Sequence, residues 1–345
     1  MYTDSDLENT VNKGIFHREA VEAFRRFYEE EQSSTIADEE NFRLVGSFND
    51  IFVVIISMVV MGSIAALFST FGGPSVGAAG VAIASWALSE YYIRIRRMAL
   101  PSTIILLAFT CSFAFSAAIF YVVVVQGQTA MIDPRQMTNF YPLPLFALIG
   151  TLLHWFRFQV PITIALISAS LACLALALLT LWVPEIKDYL LYLLAIAGGL
   201  IFLFAMVWDM SDTRRITRRS DVAFWLHLLA APMIMHPLFK MLGITTAEAS
   251  VSMAVGVLGV FFVITLVSLL IDRRAFMVSS LAYVLFAMHT LFEDVGSVSA
   301  RLGMTGLIVG GAMLLLTAYW GAAREMLVRF MPKELAERLP AVGRG

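Results

Sequence analysis

Four histidines set in long apolar stretches, His154, His227, His236 and His289, are the residues of this chain best suited to chemistry. A neutral imidazole can sit in an apolar medium, hydrogen-bond a neighbouring helix, or bind a metal through a ring nitrogen. His227 and His236 are nine residues apart, which is about 13.5 Å along a helix and about half a turn around it. Between them, Pro232 is expected to kink its helix and free backbone carbonyls near Leu228 and Leu229. His227, Pro232 and His236 are therefore the candidate ligand-binding residues, for a small solute held where the helix bends. The plainer account of each is a polar side chain satisfied by a neighbouring helix, and a proline whose backbone is re-satisfied locally. A second arrangement uses all four histidines. His154 and His227 fall near one end of their segments and His236 and His289 near the other, as the axial ligands of two b-type haems would.

These side chains need an apolar scaffold, and the composition supplies one. Hydrophobic residues make up 59% of the 345 and charged residues only 14%, against about 25% charged in an ordinary soluble domain. Apolar runs of the length needed to cross a bilayer recur near 51–69, 76–93, 102–126, 142–156, 161–182, 188–208, 222–242, 251–271, 275–292 and 303–321. All are expected to be helices, because a segment in lipid must satisfy its own backbone hydrogen bonds. The expected fold is an all-α polytopic bundle of about ten transmembrane helices.

Basic residues set the orientation. With the N-terminus inside, alternation places all but Arg135, Lys187, Lys240 and Arg301 of the 24 basic residues on the cytoplasmic side. Both termini are thus expected to be cytoplasmic. The same rule accounts for the connector Asp209-Met-Ser-Asp212-Thr-Arg214-Arg215-Ile-Thr-Arg218-Arg219, which otherwise resembles a phosphate- or lipid-binding patch. Asp209, Asp212, Asp221 and Asp272 fall at the cytoplasmic edge, and no carboxylate falls deep in a span, which argues against a proton pump.

Three regions follow. Residues 1–49 are a polar, acidic cytoplasmic segment containing an amphipathic helix over 14–31, with Phe16, Ala20, Ala23, Phe24, Phe27 and Tyr28 on one face. That helix is expected to pack on the span ends, or to recruit a cytoplasmic protein in a non-catalytic scaffold. Residues 50–321 form the bundle, and 322–345 an amphipathic cytoplasmic tail. Inside the bundle, Asn49-Asp50-Ile51 with Leu67-Phe68 and Gly72 matches Ser220-Asp221-Val222 with Leu238-Phe239 and Gly243 at one offset of 171 residues. Spans 1–4 and 7–10 thus read as parallel copies, a 4+4 repeat with spans 5–6 inserted between them.

Other chemistry is missing from the sequence. There is no P-loop, dinucleotide fingerprint, His-Glu-x-x-His or paired cysteine motif, so no catalytic residue and no metal site is assigned and nucleic acid is not an expected partner. Cys111 and Cys173 fall inside spans. Gly306-Leu-Ile-Val-Gly310 has the spacing of a close-packing motif.

The segment Leu7-Glu-Asn-Thr-Val-Asn-Lys-Gly14-Ile15, followed by a polar linker and about ten spans, resembles a family of bacterial polytopic membrane proteins of unknown function. The resemblance implies a multi-pass protein of the bacterial cytoplasmic (inner) membrane and gives no residue a role. The sequence thus leads to a small-solute permease or membrane-embedded binding protein, with the haem electron carrier and the scaffold as alternatives.

Overall fold

The computed structural model describes residues 10–11, 13–24, 48–125, 141–213, 215, 217–243, 250–292, 297–332 and 339. Among the described residues all regular structure is helical. The helices are α1 (Phe48–Ser89), α2 (Ala99–Phe120), α3 (Pro142–Phe158), α4 (Ile162–Trp182), α5 (Leu190–Met210), α6 (Arg218–Met241), α7 (Val251–Ile271), α8 (Ala275–Leu291), α9 (Val298–Ala318) and α10 (Trp320–Arg329). Seven helical stretches are long and apolar enough to cross a membrane, and α3 and α8 are shorter apolar helices. Large apolar side chains such as Phe156, Leu307 and Leu314 stand more than two-thirds exposed (79%, 77% and 74%), which suits a lipid-facing surface. The amphipathic helix expected over 14–31 is described only in part: residues 18–24 are helical, with Val21 buried and Phe24 exposed, and the remainder of that stretch from 25 onwards lies outside the described residues.

The 42 residues of α1 are two antiparallel arms. Gly73 has φ 77° and ψ −174°, a conformation essentially reserved for glycine, and Pro74 then starts the second arm. The arms pack closely because small residues meet: a Cβ on Gly77 would strike the Ser69 hydroxyl and lie 2.6 Å from the Ala65 carbonyl. Ser85 Oγ donates to Met61 Sδ at 3.1 Å. On a straight helix these residues would be about 36 Å apart.

The second arm ends in wide π-helical turns, Glu90–Ile95. Arg97 takes a left-handed φ of 53°, and α2 then starts the return. Gln159 plays the same part between α3 and α4, with φ 53°. Three later helices carry hydroxyl N-caps: Thr217 accepts from Arg219 N, Ser250 from Met253 N, and Ser297 from Ala300 N.

The core sits on α6, which packs against α4, α5 and α8. Half of its apolar stretch is buried (50%), against 11% for the α1 and α9 stretches. Ala223, Leu226, His227, Ala230, Ala231 and Phe239 are wholly enclosed. The α5–α6 contact is tight because Gly198 has no side chain: a Cβ there would lie 2.9 Å from Met233 Cβ and 2.9 Å from Ile234 Cγ1. Helix α6 continues through both Pro232 and Pro237 without ending at either. Gly306 and Gly310 of α9 face open space, so their spacing serves no close helix contact among the described residues.

Candidate functional site

The polar chemistry of the molecule gathers at the arginine-rich end of the bundle, where α5 ends, α6 begins, and α7 turns into α8. Helix α7 stops at Asp272, whose left-handed φ of 58° lets its amide cap Ser268 O. The turn sends the neighbouring Asp272 and Arg273 to different partners. Arg273 donates from Nη2 to Asp209 Oδ1 (2.5 Å) and from Nε to Asp209 Oδ2 (3.3 Å). His227 Nε2 lies 2.8 Å from the same Oδ2. Asp272 accepts from Arg215 Nη1 and from Trp320 Nε1, both at 2.9 Å, with Arg324 Nε 3.6 Å away. Arg215 also donates to the carbonyls of Ile271 and Asp272, which are free because α7 ends there.

These are two crossed ion pairs, Asp209 with Arg273 and Asp272 with Arg215. Together they tie the end of α5 and the α5–α6 connector to the α7–α8 turn and to α10. Asp209 is 2% exposed and Arg273 3%. Charges removed from water to that degree persist only when paired and hydrogen-bonded. Burial, and next the nearby Arg273, lower the pKa of Arg215 from its ordinary value; an arginine stays charged through such a shift. Arg274 stacks on the Trp320 ring at 4.9 Å and completes the group.

Beside this network is a cavity of about 590 Å³, between the turn joining α1 to α2, the turn joining α3 to α4, and the first turns of α6. Arg94, Arg97, Arg218, Asp221, Ser102 and Trp225 line it. The network reaches it through Ser220, whose carbonyl accepts from Arg273 Nη2 at 3.3 Å, next to the lining Asp221. Glu90 bridges the lining Arg94 to Arg157, accepting from Arg94 at 3.0 Å and from Arg157 at 2.7 Å.

The histidines separate. His227 is fully buried, bound to Asp209 and enclosed by the Phe202 and Phe276 rings at 5.5 and 6.1 Å. Pro232 and His236 are exposed on α6, and His236 Nδ1 lies 2.6 Å from the Tyr283 hydroxyl. The structure therefore does not gather His227, Pro232 and His236 around one space. His154 is fully buried among Phe158, Phe109 and Trp86 (ring centroids at 4.5, 5.8 and 6.2 Å), and neither ring nitrogen meets a partner among the described residues. His289 is half-buried in the last turn of α8. Among the described residues no three histidine, cysteine or acidic side chains converge in a way that would hold a metal ion.

Sequence reasoning found His227 but missed its partner Asp209, and it missed the pairing of Asp272 with Arg215. Helix counting put Asp209 at the edge of its span and His227 about two and a half turns into the next helix, so their depths gave no sign of the pair. No family model, no curated protein and no solved structure matches the chain.

Proposed function

We propose that this protein is a membrane-embedded binding protein of the permease class, crossing a bacterial cytoplasmic membrane ten times with both termini inside. The two arms of α1 count as separate crossings, followed by α2 to α9. Basic side chains at the Arg94–Arg97, Arg157, Arg215–Arg219 and Arg273–Arg274 turns support the cytoplasmic assignment of that end. The proposed 4+4 repeat pairs the α1 arms, α2 and α3 with α6 to α9.

The observation that carries the reading is the cavity of about 590 Å³ at the arginine-rich end, of a size that suits a small solute. In this reading solute enters from the cytoplasm between the α1–α2 turn and α6, while the crossed ion pairs keep the neighbouring helix ends together. The site thus lies at the first turns of α6, with Arg218, Asp221 and Trp225 on its wall, nearer the start of that helix than the Pro232 region favoured by the sequence.

The test is solute-dependent protection of the purified protein. A panel of sugars, amino acids, nucleosides and organic anions is screened by thermal shift, and hits are followed by uptake into proteoliposomes. At least one solute should raise the melting temperature, and Ala99→Trp, which puts a bulky ring on the cavity wall, should abolish the rise. A panel with no hit, or hits indifferent to Ala99→Trp, would remove the proposal.

A further inference from the structure

We propose that the cavity takes a ligand bearing a phosphate ester; this rests on reading the cavity as a binding site. The charges around it are unevenly neutralised. Arg215 and Arg273 have buried carboxylate partners, Arg324 has Asp272, and Arg329 has Glu325. Arg94 shares Glu90 with Arg157, so two guanidinium groups meet one carboxylate. Arg97 and Arg218 form no close ion pair among the described residues, although Asp221, one turn on in α6, interacts electrostatically with Arg218, and both arginines line the cavity. Against Arg94, Arg97 and Arg218 the lining offers a single acid, Asp221. The cavity is therefore net positive.

The positive ends of helix dipoles add to that charge. Met98 and Pro161, the residues capping α2 and α4, line the cavity, and Arg218 is the first residue of α6. Neither α2 nor α4 is capped by a side-chain hydrogen bond. The positive ends of these helix dipoles thus lie beside three guanidinium groups, although Thr163 N and Ile164 N already donate to Val160 O and Pro161 O, and Ser102 N to Met98 O. Helix N-termini and forked guanidinium donors both suit the tetrahedral, multiply charged oxygens of a phosphate. The cavity of about 590 Å³ exceeds the needs of a bare ion and leaves room for the organic part of an ester, with the Trp225 ring on its wall. A soluble phosphate ester and the headgroup of an anionic phospholipid present the same group, and the turns that carry the arginines are where either would arrive.

The experiment has two arms on the full-length protein. In detergent with a zwitterionic lipid, glycerol 3-phosphate is titrated calorimetrically, with glycerol and acetate at equal ionic strength as controls. In nanodiscs, phosphatidylglycerol is offered in a phosphatidylcholine background, and retained lipid is counted by native mass spectrometry. One arm should give saturable binding that weakens about tenfold for each of Arg97→Gln and Arg218→Gln. It should be largely kept by Arg97→Lys and unchanged by Arg329→Gln, an exposed control. Binding in the first arm identifies a soluble ester, and binding in the second a lipid headgroup. Acetate or glycerol binding as well as the ester, or binding unmoved by both glutamine variants, would overturn the phosphate assignment. A neutral solute blocked by Ala99→Trp, with both phosphate arms silent, would overturn it while leaving the binding-protein reading in place.

Discussion

Removing Asp209 should destabilise the bundle far more than its place at the edge of the membrane would imply. Its carboxylate is 2% exposed and receives Arg273 through two nitrogens and His227 through one. Asp209→Ala leaves the Arg273 guanidinium buried, with the Ser220 carbonyl at 3.3 Å as its remaining acceptor. Breaking a buried pair on one side costs about 3–5 kcal/mol, chiefly because the surviving charge stays out of water. With an unfolding entropy of about 2.1 cal/mol/K per residue, that corresponds to a fall of about 4–7 °C in melting temperature for a chain of this length. The assay is a double-mutant cycle on the detergent-purified protein with Asp209→Ala, Arg273→Ala and both together. Each single change should be severe, and the double should cost at least about 1 kcal/mol less than their sum, since no buried charge is then left alone. Single variants within about 0.5 kcal/mol of the parent, or strictly additive costs, would refute the argument that the pair is buried and coupled.

Other outcomes follow from the same geometry. With Cys111 and Cys173 replaced by alanine, Met61→Cys and Ser85→Cys should form a disulfide on mild oxidation, read as a mobility shift; an uninterrupted α1 would yield none. Gly73→Ala forces a side chain into φ 77° and ψ −174°, which should cost about 1–3 kcal/mol by thermal denaturation, whereas Gly199→Ala, with open space around it, should cost far less. Purified protein should lack a Soret band, because the His227 Nε2 atom is engaged by Asp209; a band lost in both His154→Ala and His227→Ala would establish the two-haem alternative instead.

Much of the scaffold is readable along the chain because lipid imposes one-dimensional rules. The run expected at 251–271 coincides with α7, and those expected at 161–182 and 275–292 lie within a residue of α4 and α8 at each end. Hydropathy, hydroxyl caps and the Gly72-Gly73-Pro74 turn are all local signals. The site is not local. Arg273 and Asp209 are 64 residues apart in sequence, and Arg215 and Asp272 are 57 apart, so neither partner announces the other. The arginine connector shows the difficulty best. The proposed orientation would by itself account for its composition, yet Arg215 is drawn inward to Asp272 by a left-handed backbone turn while Arg218 and Arg219 stay exposed. The histidines were equally ambiguous, since periodicity gives depth but not which neighbour a ring meets: His227 turns into the core and His236 turns outward on the same helix.

The central claim is that the cavity bounded by the α1–α2 turn, the α3–α4 turn and α6 is a cytoplasm-facing ligand site. Thiol accessibility tests it most directly. In a variant with Cys111 and Cys173 replaced by alanine, Ala99→Cys places one thiol on the cavity wall. A membrane-impermeant maleimide should label it in inverted membrane vesicles and not in intact cells, and a bound solute should slow the labelling. Labelling from the outer face, or labelling that no solute slows, would contradict the account.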